Sequence, residues 1–146
     1  DGAGGFKPVP LAESGWLVPG NADALALVDL DRNAPPHVVV SRNNQSMLAF
    51  RNSGSDDSVH VAVRLRGRDG NPHAIGARMK LESDGKTLQV FEVHAGGGFA
   101  SQSTATGFFS VAREIGPGAK LRINWPSGET THLAMPEKGG YVNVSE

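Results

Sequence analysis

Along most of the chain, apolar and polar residues alternate with a period of two. Val59, Val61, Val63 and Leu65 alternate with His60, Ala62, Arg64 and Arg66. Successive side chains of a strand point to opposite faces, so this run predicts a strand with one dry face. Met79 and Leu81 set the same pattern over 77–82, and Leu121, Ile123 and Trp125 repeat it against Arg122 and Asn124. Residues 87–93 form a further strand whose alternation shifts near Val90-Phe91, which predicts a bulge. Segments 130–133 and 141–144 supply the last strands. Asp84-Gly85 and Arg68-Asp69-Gly70-Asn71 have the composition of hairpin turns. Residues 108–113 alone suit a helical turn.

The front of the chain is patterned differently. Its apolar runs are short, at 24–28, 38–40 and 47–50, and Asp1-Gly2-Ala3-Gly4-Gly5-Phe6 is a turn leading into a further short strand. Four short strands joined by Gly, Asn and Asp turns are the material of one propeller blade. The small, polar stretch Ser53-Gly54-Ser55-Asp56-Asp57-Ser58 is the best linker candidate. The expected division is therefore 1–53, a β-blade, and 54–146, a second β domain. The fold class is all-β: one propeller-type blade of short strands followed by an antiparallel β-sandwich or small barrel.

Composition narrows the chemistry. The 146 residues include 19 Gly and 9 Pro, which favour turns over helices. There is no cysteine, which removes disulfides, Cys-ligated metals and thiol nucleophiles. Lys plus Arg is 14 and Asp plus Glu is 15, for a formal net charge of −1. A nucleic-acid binder usually carries a basic excess, so none is expected as a partner. No apolar run approaches the roughly 20 residues of a membrane helix, and no membrane insertion is expected. The chain starts Asp1-Gly2 without Met, which reads as a mature fragment or processed piece.

Three groups of residues could carry function. Asp29, Asp31 and Asn33 occupy the first alternate positions of an oxygen-ligand calcium loop. Ala34 stands where a sharp-turn Gly would be, and His37 where a closing Asp would be, so the bland alternative is a loop whose carboxylates cap turn amides. Calcium is the one cofactor this pattern admits. Arg64, Arg66 and Arg68 fall on one face of a strand, and Arg78, Lys80 and Arg122 could join them as a platform for an acidic glycan, a phosphate or an acidic protein surface. The alternative is an ordinary wet sheet face, with Glu82, Glu92 and Glu129 pairing with the arginines. Gly97, Ser101 and Gln102 belong to the glycine loop 95–103, whose amides could cradle an anion or simply make a tight turn. No Gly-x-Ser-x-Gly elbow and no His-Glu-x-x-His pair occurs, so no catalytic residue is singled out.

Ordered motifs carry a family resemblance. Val63-Arg64-Leu65-Arg66-Gly67, Asn71, Ala74-Ile75-Gly76-Ala77-Arg78, Glu92-Val93, Ala95-Gly96-Gly97-Gly98-Phe99, Ser101-Gln102-Ser103, Leu121-Arg122-Ile123 and Trp125-Pro126-Ser127-Gly128 together resemble the ASPIC/UnbV domain. Asp1-Gly2-Ala3-Gly4-Gly5-Phe6, residues 26–31, Val38-Val39-Val40 and Asn43-Asn44 resemble one FG-GAP (VCBS-type) repeat. The sequence departs from the ASPIC/UnbV pattern at Phe108-Phe109-Ser110-Val111, where a Phe-Gly-Leu-Gly segment is usual. The resemblance implies the C-terminal part of an exported protein, extracellular, periplasmic or otherwise of the cell envelope. The family has no agreed biochemical activity. The turn-rich β architecture and the lack of a catalytic constellation, taken with the resemblance, lead to the expectation of non-enzymatic binding or assembly, within a larger complex. The competing reading is an enzyme or accessory enzyme acting on an enediyne-type metabolite or a glycan. A single blade cannot hide Leu25, Leu27, Val38, Val40, Leu48 and Phe50 by itself, so upstream blades, the second domain or a protein partner should cover them.

Overall fold

The computed structural model describes residues 5–30, 32 and 35–146. As the two-residue period predicts, the described chain is built almost wholly of strands, in three sheets with no closed barrel. The first sheet is antiparallel, in the order β1 (Ala22–Val28), β2 (His37–Arg42), β3 (Gln45–Phe50). The other two sheets pack into a sandwich. One holds β10 (Gly140–Ser145), β4 (Ser58–Arg66) and β7 (Gly107–Ala112) in that order. Its partner runs β6 (Lys86–Glu92), β5 (Arg78–Ser83), β8 (Lys120–Asn124), β9 (Thr130–Ala134).

The sandwich core is the set of residues that the alternation points inward. Val59, Val61, Val63 and Leu65 of β4, with Phe109 and Val111 of β7, pack against Met79 and Leu81 of β5 and Leu121 and Ile123 of β8. Trp125 joins them, and its indole N–H donates to Thr131 Oγ1 at 2.9 Å, which satisfies its one polar group. At one corner the two sheets are joined by a side chain. The Gln89 amide, on β6, accepts from the Ser110 N–H of β7 at 3.1 Å and donates back to the Ser110 carbonyl. It thereby imitates a strand partner.

Several local expectations change. Residues 108–113 hold no helical turn, because β7 runs through them with alternating burial from Gly107 to Ala112. The only 3-10 turn described is Gly116–Gly118, started by Pro117. Arg68–Asn71 makes a turn, with Asn71 N–H on the Arg68 carbonyl at 3.0 Å, but not a hairpin. β4 pairs with β7 and β10, so the chain leaves one sheet at Gly67 and enters the other at Arg78. Asp84-Gly85 does make a hairpin, joining β5 to β6, with both residues at positive φ. The ladder irregularity of β6 falls beside Leu88, two residues before the expected place. β10 runs parallel to β4, so this sheet is mixed rather than purely antiparallel.

In the front segment, no strand precedes β1 among the described residues, and the sheet has three strands where four were expected. A four-residue helix, α1 (Leu11–Ser14), closes instead on Gly15 in the left-handed conformation. On the outer edge of β1, loop residues of the sandwich take the neighbouring place. The Leu27 N–H donates to Ser103 Oγ and the Thr104 N–H donates to the Leu27 carbonyl, each at 3.0 Å. The register puts Leu25, Val40 and Leu48 in one row and Leu27, Val38 and Phe50 in the next, all six on one face. Trp16 packs edge-on against Phe50, with ring centroids 5.5 Å apart. Only Val40 of the six is buried, and Leu25 is 43% exposed.

Candidate functional site

A cavity lies where the glycine loop meets the end of β6 and the edge of β1. It has a volume of about 250 Å³ and a largely apolar wall of Leu27, Phe91, Ala105 and Phe108. β6 delivers Phe91 and Glu92 to it. The chain then needs 14 residues to travel from Glu92 to Gly107, and this connection forms the rest of the wall. Gly96 and Gly98 have positive φ, which their lack of a side chain permits. Gly98 also leaves the space that Ser101 Oγ fills. The loop folds back on itself through a parallel bridge between Gly97 and Gln102.

The sequence-predicted trio is thus brought together. Gly97 and Gln102 pair and both line the cavity, while Ser101 sits on the turn between them. The neighbouring hydroxyls are already engaged. Ser103 accepts from Leu27, and Thr104 Oγ1 lies 3.0 Å from Thr106 Oγ1. At the rim, Glu92 stands between two cationic or proton-accepting groups. Arg78 Nη2 lies 3.2 Å from its carboxylate, and His94 Nδ1 lies 3.9 Å away. The sequence did not single out His94, and its only signal was its place two residues after Glu92. Glu92 is the single carboxylate lining this cavity, so the paired-acid arrangement of glycoside hydrolysis is not assembled there. What the cavity offers is an apolar seat with a polar rim, the form of a small-molecule binding pocket.

The other predicted residues lie elsewhere. Asp31 and Asn33 fall outside the described residues. Asp29 is half-buried, with Oδ1 lacking a hydrogen-bond partner among the described residues. His37, at the closing position of the supposed calcium loop, is buried and turns its Nδ1 to the Asn52 N–H at 3.2 Å. Among the described residues, no three His, Asp or Glu side chains converge as a metal site.

The six cations do not form one platform. Arg64 and Arg66 project from β4 on the outer face of one sheet, whereas Arg78, Lys80 and Arg122 project from β5 and β8 on the outer face of the other. The core lies between them. The alternation of each strand was right, but alternation says nothing about which sheet a strand joins. The expected glutamate pairs form on the second face: Arg78 with Glu92 and Arg122 with Glu82 at 2.9 Å. Arg68 leaves the β4 face and pairs with Glu129 and, at 3.6 Å, with Glu146. The hydrogen bond and charge of Glu129, with Glu146 adding less, raise the Arg68 pKa further.

The family motifs mostly build this scaffold. The Asn71 side-chain amide donates to the Ile75 carbonyl and accepts from the Ile75 N–H, both at 2.9 Å. Gly67 has no room for a side chain, since a Cβ would run into the Asn71 carbonyl and the Ala74 backbone. Gly76 N–H donates to the Val93 carbonyl at 2.8 Å, which ties the connector to the strand carrying Glu92. A family model described as ASPIC and UnbV matches residues 67–146. No curated protein matches the chain.

Proposed function

The chain belongs to the ASPIC and UnbV family, and from that premise we propose that it is a non-enzymatic binding and assembly module of the extracellular space or the cell envelope. The observation that carries this reading is the uncovered front sheet. Among the described residues, eight of the thirteen exposed large apolar side chains lie in the first fifty residues. Leu25 and Met47 are on the strands of the sheet, and the rest, Trp16 and Leu17 among them, are in the segments flanking β1. A cavity of about 300 Å³ between Trp16, Val18, Leu25 and Val40 leaves the oily face of the sheet part-filled. At roughly 25 cal/mol per Å² of apolar area, a covering partner would gain several kcal/mol there.

The partner that fits best is another short-stranded sheet of the same kind, an FG-GAP-type blade packed face to face as propeller blades are. No helix of the described chain is long and apolar enough to cross a membrane.

The test uses the 146-residue chain with Leu25→Asp. Wild type should bind an apolar dye and self-associate with concentration in sedimentation velocity. The variant should lose both while the sandwich unfolds at an unchanged urea midpoint. A wild-type chain that stays monomeric and dye-free at high concentration would refute the assembly face.

A further inference from the structure

The outer face of the β10-β4-β7 sheet carries a second cavity, of about 290 Å³, lined by Arg64, Leu65, Arg66, Pro72, His73 and Asn143. Its charges are unusual for this chain. Of the six arginines from Val59 onward, Arg68, Arg78 and Arg122 hold carboxylates, and Arg113 holds the Asp56 carbonyl at 3.0 Å. Arg64 and Arg66 are the two with no such partner among the described residues, and they share one cavity. No carboxylate lines it. Glu146, just past the adjacent strand, donates its N–H to the Arg66 carbonyl at 2.9 Å, but its buried carboxylate faces Arg68 at 3.6 Å and does not line the cavity.

The geometry follows from the strand. Arg64 and Arg66 are two residues apart on β4, so both guanidinium stems leave the same face, roughly 7 Å apart. Asn143 of β10 stands directly beside Arg64 in the parallel register. The connector that leaves the sheet at Gly67 brings Pro72 and His73 across the top. Two planar forks bind an oxyanion bidentately and lose little freedom in doing so. Asn143 adds an amide that can both donate to and accept from hydroxyls. Pro72 and His73 add ring side chains to the lining.

We infer that this cavity is a binding site for an acidic sugar unit, its carboxylate or sulfate held by Arg64 and Arg66 and its ring laid against Pro72 and His73. A flat cationic track would suit any polyanion. A half-open cavity of this volume, with an amide and two ring side chains beside the charges, suits a single charged ring. The site is independent of the front sheet, and Leu25→Asp leaves it intact.

The test is calorimetric titration of the 146-residue protein at low ionic strength. Three probes are used: a sulfated oligosaccharide, an unsulfated uronate oligosaccharide and inorganic sulfate. At least one oligosaccharide should bind, and which of the two binds identifies the oxyanion. The double variant R64Q/R66Q should weaken that binding by about tenfold or more. Asn143→Leu, on a different strand, should weaken it less, and Lys80→Gln, on the outer face of the other sheet, should leave it unchanged. Equal loss in K80Q would mean general charge attraction and overturn the site. So would retained affinity in R64Q/R66Q, or no oligosaccharide binding at all. Inorganic sulfate binding as tightly as the oligosaccharides would overturn the assignment to a sugar.

Discussion

The segment matched by the family begins at Gly67, one residue after β4 ends. A fragment of residues 67–146 therefore keeps every matched residue and loses the central strand of one sheet. The loss can be sized. Val59, Val61, Val63 and Leu65 are all nearly or fully buried. At roughly 1.5–3 kcal/mol for each such side chain, together they contribute about 6–12 kcal/mol. That equals the whole stability of an ordinary domain, about 5–15 kcal/mol. The ladders from β4 to both β7 and β10 vanish as well, leaving these strands with no partner in their sheet. The fragment 67–146 should thus be unfolded, with no dispersed amide spectrum and no cooperative urea transition. The fragment 54–146 retains β4 and the bond from Arg113 N–H to the Asp57 carbonyl, and it should fold cooperatively. Circular dichroism, amide NMR spectra and urea titration of both fragments decide the matter. A cooperatively folded 67–146 would refute the reasoning, and so would an unfolded 54–146.

Asn71→Ala should destabilise the sandwich by about 1–3 kcal/mol, because it removes two hydrogen bonds to Ile75. Asn71→Asp should recover only part of this, since a carboxylate can accept from the Ile75 N–H but cannot donate to its carbonyl, and the urea midpoints of the two variants test the order. Calcium or EDTA should leave the thermal midpoint of the 146-residue chain unchanged. Ala34 and His37 replace residues that such a loop needs, and a rise in the midpoint with added calcium would contradict this.

The inward faces of the strands were legible because burial on one side and water on the other write themselves directly into the sequence. β7 was the exception, and its cause is specific. Phe108 points away from the core yet is apolar, since it lies beside Pro35, Pro36 and His60 in a shared cavity. With Phe109 inward and Phe108 outward, the alternation disappears. Sheet membership was hidden for a different reason. The turn at Arg68–Asn71 has hairpin composition, but the strands on either side of it belong to different layers. The same blindness put Arg78 and Arg122 beside Arg64 and Arg66, although the core separates them. The glycine loop was found as a unit because its residues are contiguous. Its enclosure by Leu27 was not, as those partners are 76 residues apart.

The glutamine at the corner of the sandwich has a mechanical meaning. Where strands lie side by side, a load must break many parallel bonds together. At Gln89 the two layers meet through one flexible side chain bonded to one residue, Ser110. Under tension that joint is the weak stitch of this corner, while the shared core still holds the layers face to face. The corner can yield there and close again with the ladders of both sheets unbroken.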